Sequence, residues 1–377
     1  MAFLWAQIRR RDFPLAKKIA YLDHASGGPI PRPVLEKIKT YYSEHFRRAD
    51  LGWPVWIRRR EEVRARLARF INADPEEVAF IHSTSQGMNH IAELLAPRGA
   101  VLTNTSEFPS STLPWLWRKA RVIWQKPEAG SLSLEKLKSL LKPSVKTLLT
   151  SFVQYATGFR QDLAALGGMK AGRYLAVNAT QAFGALKLDV KAWKADFVCA
   201  NSYKWLMAGY GAGFLYVRKP LLEKFKPLGA GWRSMARPEL MDNRRLELKP
   251  EASRYEPGCP AFPNIFALGA AVEYLDGIGI ERIEKRILEL TDFAIQKMEE
   301  RGFEILSPKA PESRSGIVIV KIKNPEKVSR RLLGDGIYVS ARGGGIRLAP
   351  HFYNTFEEID RFVGKLVKHS AGEERKS

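Results

Sequence analysis

Two polar segments, Val177-Asn178-Ala179-Thr180-Gln181-Ala182-Phe183-Gly184 and Asn201-Ser202-Tyr203-Lys204-Trp205-Leu206, each follow an apolar run, with Asp189 and Asp196 between them. The second closes on a lysine flanked by aromatic and apolar side chains. Desolvation disfavours the ammonium form of such a lysine, so it loses its proton more readily than a hydrated one. A neutral amine can form a Schiff base, and its usual biological partner is the aldehyde of pyridoxal 5′-phosphate. Taken alone, Lys204 reads more simply as a surface lysine with a packed stem and a hydrated head, since Lys and Arg together number 61. The surrounding pattern shifts that reading.

Working outward, short apolar runs alternate with helical patterns through the first two thirds of the chain. Val78–Ile81, Ala100–Leu102, Thr147–Leu149, Tyr174–Val177, Phe197–Ala200 and Gly213–Val217 read as strands, and Gly87–Leu95 and Leu163–Lys170 as helices. This alternation predicts an α/β fold with a mostly parallel sheet covered on both faces. Ligands in such sheets collect just past strand ends, where both polar segments fall. After about Met241 the pattern changes to long helices over Ile265–Leu275 and Ile280–Met298, strands over Gly316–Val320 and Gly336–Val339, and a closing helix over Thr355–Val367. The expected organisation is a large domain over 15–240 and a smaller α+β domain over 241–377. Residues 1–14 are expected to pack near the smaller domain, and the polar tail 371–377 to fray.

Further motifs accompany Lys204 in order along the chain: Tyr21-Leu22-Asp23-His24-Ala25, Ser83-Thr84-Ser85-Gln86-Gly87, Glu107-Phe108-Pro109, Tyr155-Ala156-Thr157-Gly158-Phe159-Arg160, Arg254-Tyr255-Glu256-Pro257-Gly258, Gly345-Ile346-Arg347 and Phe352-Tyr353-Asn354-Thr355. In this arrangement the chain resembles the class V aminotransferase group of fold-type-I pyridoxal-phosphate enzymes, which includes cysteine desulfurase-like, kynureninase-like and isopenicillin epimerase-like proteins. The resemblance implies a homodimer, with Lys204 as the Schiff-base lysine and Thr84, Ser85, Asn201 and Tyr203 as phosphate contacts. A helix start and small hydroxyls suit a dianion, although Ser83-Thr84-Ser85 also reads as a helix N-cap cluster. Phe108 would stack on the pyridine ring and Gln181 would hydrogen-bond its phenolic oxygen. Arg347 would pair with a substrate carboxylate, with Arg342 assisting. His24, Tyr155 and Tyr210 are candidate acids on the face opposite Lys204, and Asp23 is read as an anchor of the opening loop.

Two positions depart from the family pattern. Asn178 stands where most relatives carry an aspartate that keeps the pyridine nitrogen protonated. A neutral amide can instead donate an N–H to an unprotonated nitrogen, giving a weaker electron sink. Cys259 stands where relatives often have a threonine that reaches the neighbouring subunit's phosphate, and a thiol is a poorer donor. Cysteine desulfurase chemistry is not expected, because Ala341-Arg342-Gly343-Gly344-Gly345-Ile346-Arg347 is short and lacks the nucleophilic cysteine of those enzymes. The expected function is aminotransferase-type chemistry on an amino acid or a small amine bearing a carboxylate. Epimerase or lyase chemistry is the alternative, as is a binding protein with a weakened site.

Composition narrows the remaining classes. A chain of 377 residues with 45% apolar content can bury a large core. No apolar run approaches the roughly 18 residues of a membrane span. The two cysteines, Cys199 and Cys259, imply no disulfide framework and suggest a reducing cytoplasm. The six histidines form no metal-ligand spacing, and no metal is expected. The net charge of +21 is spread along the chain. Its densest run, Arg58–Arg69, has helical spacing and reads as a solvated helix face, so a nucleic-acid partner is not expected.

Overall fold

The computed structural model describes residues 2–374 of the backbone, and the side chains of residues 4–370. The strands among the described residues are β1 Ala20–Tyr21, β2 Val78–Ile81, β3 Ala100–Asn104, β4 Val122–Gln125, β5 Val145–Ser151, β6 Tyr174–Asn178, β7 Phe197–Asn201, β8 Gly213–Val217, β9 Val318–Lys321, β10 Ile337–Tyr338, β11 Ser340–Arg342 and β12 Gly345–Leu348. Seven of them form one sheet in the order β2-β8-β7-β6-β5-β3-β4. All its neighbouring pairs are parallel except those made by β8, which runs against both β2 and β7.

The apolar runs become strands because both faces of this sheet are covered. Every residue of β2, β3, β7 and β8 is buried. Alternation divides them between two cores: Val78, Phe80, Val198 and Phe214 face one, and Ala79, Ile81, Cys199 and Leu215 face the other. Strand β4 has no counterpart among the expected elements. It is the sheet edge and only Gln125 in it is buried, although its apolar run, Val122-Ile123-Trp124, is as long as those read as strands over Ala100–Leu102 and Thr147–Leu149.

The long helices of the last third run Phe262–Ile278 and Ile280–Glu299, and the closing helix runs Phe356–Glu374. That helix extends into the tail expected to fray, and residues 375–377 lie outside the described residues. A second small sheet, β11-β12-β9, packs with the helix Pro325–Gly334 into a separate apolar core that also takes in Ala20 and Leu22. The chain start reaches this region through parallel pairing of β1 with β10 and a bridge from Asp23 to Ala349. In the first helix, Ala2–Asp12, Trp5 meets Phe352 and Arg9 pairs with Glu358.

One expectation about the surface is overturned. The helix Trp53–Phe70 contains the basic run, but Arg60 and Arg64 in it are buried and paired with Glu256 and Glu61. Helical spacing marked these arginines as a solvated face; a carboxylate far along the chain, at Glu256, is what makes their burial tolerable. No described helix is long and apolar enough to cross a membrane.

Candidate active site

Strands β2, β3, β5, β6 and β7 share one direction, and the chain leaving their C-terminal ends builds one cavity. Its lining includes Ser83, Thr84, Ser85, Phe108, Ser110, Tyr155, Asn178, Gln181, Asn201, Tyr203 and Lys204. After β2 the chain turns into the helix Thr84–Leu95, whose N-cap Ser83 accepts a hydrogen bond from the Gln86 N–H. Thr84 is hydrogen-bonded to Thr180 at 2.7 Å and Ser85 to Ser110 at 2.8 Å. Unpaired first-turn N–H groups and clustered hydroxyls make this helix start a natural place for an anion.

After β3, Glu107 is buried and fixes the loop that presents Phe108. Its carboxylate accepts from the Ser151 N–H at 2.5 Å, the Ser151 hydroxyl at 2.6 Å and the Gln154 amide at 2.7 Å. Phe108 itself is 42% exposed and meets Tyr155 edge-on at 5.1 Å. It is therefore part of the cavity lining and not of the apolar core.

Lys204 sits in the turn after β7 and is 8% exposed. The turn leaves little room: a Cβ on Gly184, whose φ is +101°, would lie 2.6 Å from the backbone of Trp205 and Leu206. The Lys204 Nζ stands 5.6 Å from the centre of the Phe108 ring. Burial, and after it the positive charge of Arg347, lower its pKa to about 7, with Asp23 opposing the shift. A large share of this amine is therefore neutral at physiological pH.

The amides at the cavity floor are oriented by their neighbours. Asn178 Oδ1 accepts the Thr180 N–H at 3.0 Å while Nδ2 donates to the Ser111 hydroxyl at 3.0 Å. One N–H of Nδ2 is left over, so the group Asn178 has in reserve is a neutral donor. Gln181 Oε1 accepts the Trp205 indole N–H at 2.9 Å, and Nε2 donates one hydrogen to Ala25 O at 2.9 Å, again leaving one N–H. Asn201 Oδ1 is buried without a hydrogen-bond partner among the described residues.

Arg347, in β12, is buried beside this group. Its Nη2 donates to Asp23 at 3.1 Å and to the Ser26 hydroxyl at 2.6 Å, and Nη1 to Tyr155 O at 3.4 Å. Arg347 Nε and Asp23 Oδ2 have no partner among the described residues, so this ion pair retains bonding capacity on both sides.

Other expected residues are not brought to the cavity. His24 is wholly buried, with Nδ1–H on Ala349 O at 3.1 Å and Nε2 accepting from the Tyr353 hydroxyl at 3.0 Å. Burial holds its pKa well below the usual histidine value. It is a structural link between the start of the chain and Ala349 and Tyr353, with no free nitrogen for a substrate. Arg342 is exposed and donates to its neighbour Ala341 O. Cys259 is exposed and outside the lining; Cys199 is buried, its Sγ lies 3.2 Å from Met88 Sδ, and burial pushes its thiol pKa up. No metal-ligating cluster occurs among the described residues.

Sequence reading missed Ser26, Ser110, Ser111, Ser151 and Thr180. Isolated serines and threonines carry no spacing signal, and these become legible only when strand ends converge.

The lining residues include no carboxylate, and the polar groups directed at the cavity are hydroxyls, amide N–H groups, a helix start and one amine. This donor set fits a phosphate-bearing aldehyde with an aromatic ring. A family model described as aminotransferase class-V matches residues 20–362. The chain belongs to the class-V aminotransferase family. Fold type I and dependence on pyridoxal 5′-phosphate, both expected of the family, stand with that assignment. An uncharacterized aminotransferase of Bacillus subtilis, YcbU, is 28% identical over 363 residues, covering 95% of this chain and 96% of that protein. A probable cysteine desulfurase of Pyrococcus abyssi is also 28% identical, over 387 residues, covering 95% of this chain and 96% of the relative. Among solved structures, the cysteine desulfurase of Thermococcus onnurineus superposes with a TM-score of 0.88 at 25% identity, covering 97% of this chain and 98% of that one. The class-V relatives thus carry both activity names, including the desulfurase name that the short loop before Arg347 argued against.

Proposed function

We propose that this class-V enzyme carries out aminotransferase-type chemistry on an amino acid, using Lys204 as the base at the α-carbon. The observation that supports this most is a buried amine with a pKa near 7 facing an aromatic wall across a cavity whose lining holds no carboxylate or imidazole. Bound there, pyridoxal 5′-phosphate supplies an electron-withdrawing ring that acidifies the α-C–H bond of an amine joined to its aldehyde carbon. The residues of this chain do the rest. Thr84, Ser85, Asn201 and Tyr203 would hold the phosphate, and Phe108 would restrain the ring. Gln181 would have its spare N–H for the phenolic oxygen, and Asn178 its spare N–H for the pyridine nitrogen. Arg347 receives the substrate carboxylate with its unused donors, which sets the α-C–H bond toward Lys204. The neutral Lys204 amine takes the proton from the α-carbon and, for transamination, would deliver it on the same face to the carbon that was the cofactor's aldehyde carbon, so that hydrolysis releases a keto acid.

Return of the proton from the opposite face would give racemisation. Tyr155, edge-on to Phe108 in the lining, is the candidate for that acid, and it motivates this second reading. A desulfurase relaying sulfur through its own cysteine is disfavoured, because neither Cys199 nor Cys259 is in the lining. The apolar surface of Leu113, Leu116 and Trp117, on the helix that follows Phe108, supports a homodimer, and the two free cysteines are compatible with the cytoplasm.

The test is spectral and chemical. Purified protein should carry a visible absorption band that shifts with an amino acid and is missing in Lys204→Ala. Keto-acid formation is then followed beside α-deuterium exchange; exchange without keto acid removes transamination and leaves racemisation.

A further inference from the structure

Arg347 already has its most useful nitrogen occupied. Nη2 donates one hydrogen to Asp23 Oδ1 at 3.1 Å and the other to the Ser26 hydroxyl at 2.6 Å. Nη1 donates to Tyr155 O at 3.4 Å, and Nε has no partner among the described residues. A guanidinium grips a carboxylate through two parallel bonds along one of two edges, Nε with Nη2 or Nη1 with Nη2. Both edges include Nη2, so the idle hydrogens on Nε and Nη1 alone give no such grip. For a two-point contact, one of the two acceptors on Nη2 has to give way.

Asp23 is the poorer choice. It is buried, its Oδ1 also accepts from the Ser340 hydroxyl at 3.2 Å, and its departure would strand a charge whose Oδ2 already lacks a partner. Ser26 is neutral and half-buried. Its backbone is pinned: the Ser26 N–H donates to Asp23 O at 3.1 Å, the Gln181 amide donates to Ala25 O at 2.9 Å, and the Gly28 N–H donates to Tyr203 O at 2.8 Å. A Cβ on Gly28 would lie 2.4 Å from Lys204 O. Gln181, Tyr203 and Lys204 line the cavity, so the loop carries Ser26 alongside it with little freedom of its own. What remains is rotation about the Ser26 Cα–Cβ bond. That rotation releases one Nη2 hydrogen and turns the hydroxyl from acceptor to donor. A carboxylate is the stronger acceptor, so the exchange favours an anion.

We propose that Ser26 determines specificity for substrates with a free α-carboxylate: its hydroxyl leaves Arg347 Nη2 and donates to the carboxylate that takes its place, while Asp23 stays. This rests on the function proposed above, in which Arg347 receives that carboxylate. A neutral group in the same position, such as a carboxamide, is no better an acceptor for Nη2 than a charge-facing hydroxyl and has less to gain from the Ser26 hydrogen. Ser26 thus acts on the α-carboxylate end of the substrate and not on its side chain.

The experiment uses the full-length, cofactor-loaded protein and reads binding through the shift of its visible band. The standard L-amino acids are titrated first. The one bound most tightly is then compared with its α-carboxamide, which has the same amine and side chain without the anion. Wild type should prefer the amino acid. Ser26→Ala should weaken amino-acid binding about tenfold and leave the carboxamide within about twofold, so that the preference falls with it. Ser26→Thr, which keeps the hydroxyl, should restore most of the preference, and urea unfolding of each variant reports folding separately. Equal losses for both compounds, a preference that is absent or unchanged, or tighter amino-acid binding by Ser26→Ala overturns the proposal. The last result would mean that the hydroxyl only competes for Arg347. A wild type whose band responds to no amino acid sinks the proposed function and the role of Ser26 together, whereas a response indifferent to Ser26 sinks this inference alone.

Discussion

Replacing Lys204 with methionine should stabilise the cofactor-free protein, and the gain should depend on pH in a definite direction. The lysine's pKa falls from 10.5 in the unfolded chain to about 7 in the fold, chiefly through burial. A lowered pKa means the unfolded state binds more protons between those values, so wild-type stability rises with pH across that window. Below pH 7 the full penalty applies: about 3.5 pKa units at 1.36 kcal/mol each, or about 5 kcal/mol. By pH 10 most of the penalty is gone, leaving about 1 kcal/mol. Methionine has a similar length, no charge and no need of a partner, so Lys204→Met removes the penalty with little change in packing. Urea unfolding of both proteins at pH 6, 8 and 10 measures the difference. The variant should lead by several kcal/mol at pH 6, and the lead should shrink by about 4 kcal/mol at pH 10. A lead that does not vary with pH, or a wild type more stable at pH 6, would refute the claim that desolvation poises this amine for chemistry.

Asn178→Asp places a carboxylate where the Thr180 N–H and the Ser111 hydroxyl can both donate to it. Keto-acid formation should rise by about tenfold if the neutral amide weakens the electron sink, and an unchanged or lower rate counts against that account. Arg347→Lys keeps the charge opposite Asp23 but loses the fork, so KM for the amino acid should rise about tenfold or more with a smaller change in kcat. A change confined to kcat would separate Arg347 from carboxylate binding. Glu256→Gln leaves Arg60 and Arg64 buried beside a single remaining carboxylate, Glu61, and should lower stability by about 3–5 kcal/mol in urea unfolding. A loss below about 1 kcal/mol would mean solvent reaches these arginines after all.

Much of this molecule was readable in advance because covered parallel strands leave a strong trace. Val78–Ile81 and Phe197–Ala200 have apolar side chains at every position, as burial on both faces demands. The edge strand Val122–Gln125 went unseen even though it carries the apolar run Val122-Ile123-Trp124. Lys204, Phe108, Gln181 and Asn178 were legible through the ordered motifs that carry the family resemblance, since as residue types none of them stands out in this chain. The cavity was not legible where the role depends on a distant partner. Nothing local shows that Trp205 fixes the Gln181 amide, or that Asp23 holds Arg347 from across the chain. His24 illustrates the opposite error: its position in a motif suggested contact with substrate, while its two nitrogens are satisfied by Ala349 and Tyr353.

The parallel pairing of β1 with β10, continued by Asp23 beside Ala349, has a consequence for biosynthesis. His24 and its acceptor Ala349 are 325 positions apart, so the first strand leaves the ribosome long before its companion has been translated. Arg347 and Asp23 meet only at that late stage, so the ion pair beside the cavity forms after the chain that lines it has been made. Such non-local closure is slow. A nascent chain stalled before Gly345 would present the amine and the helix start without the arginine, and vitamin capture by the growing polypeptide would precede competence to select a substrate.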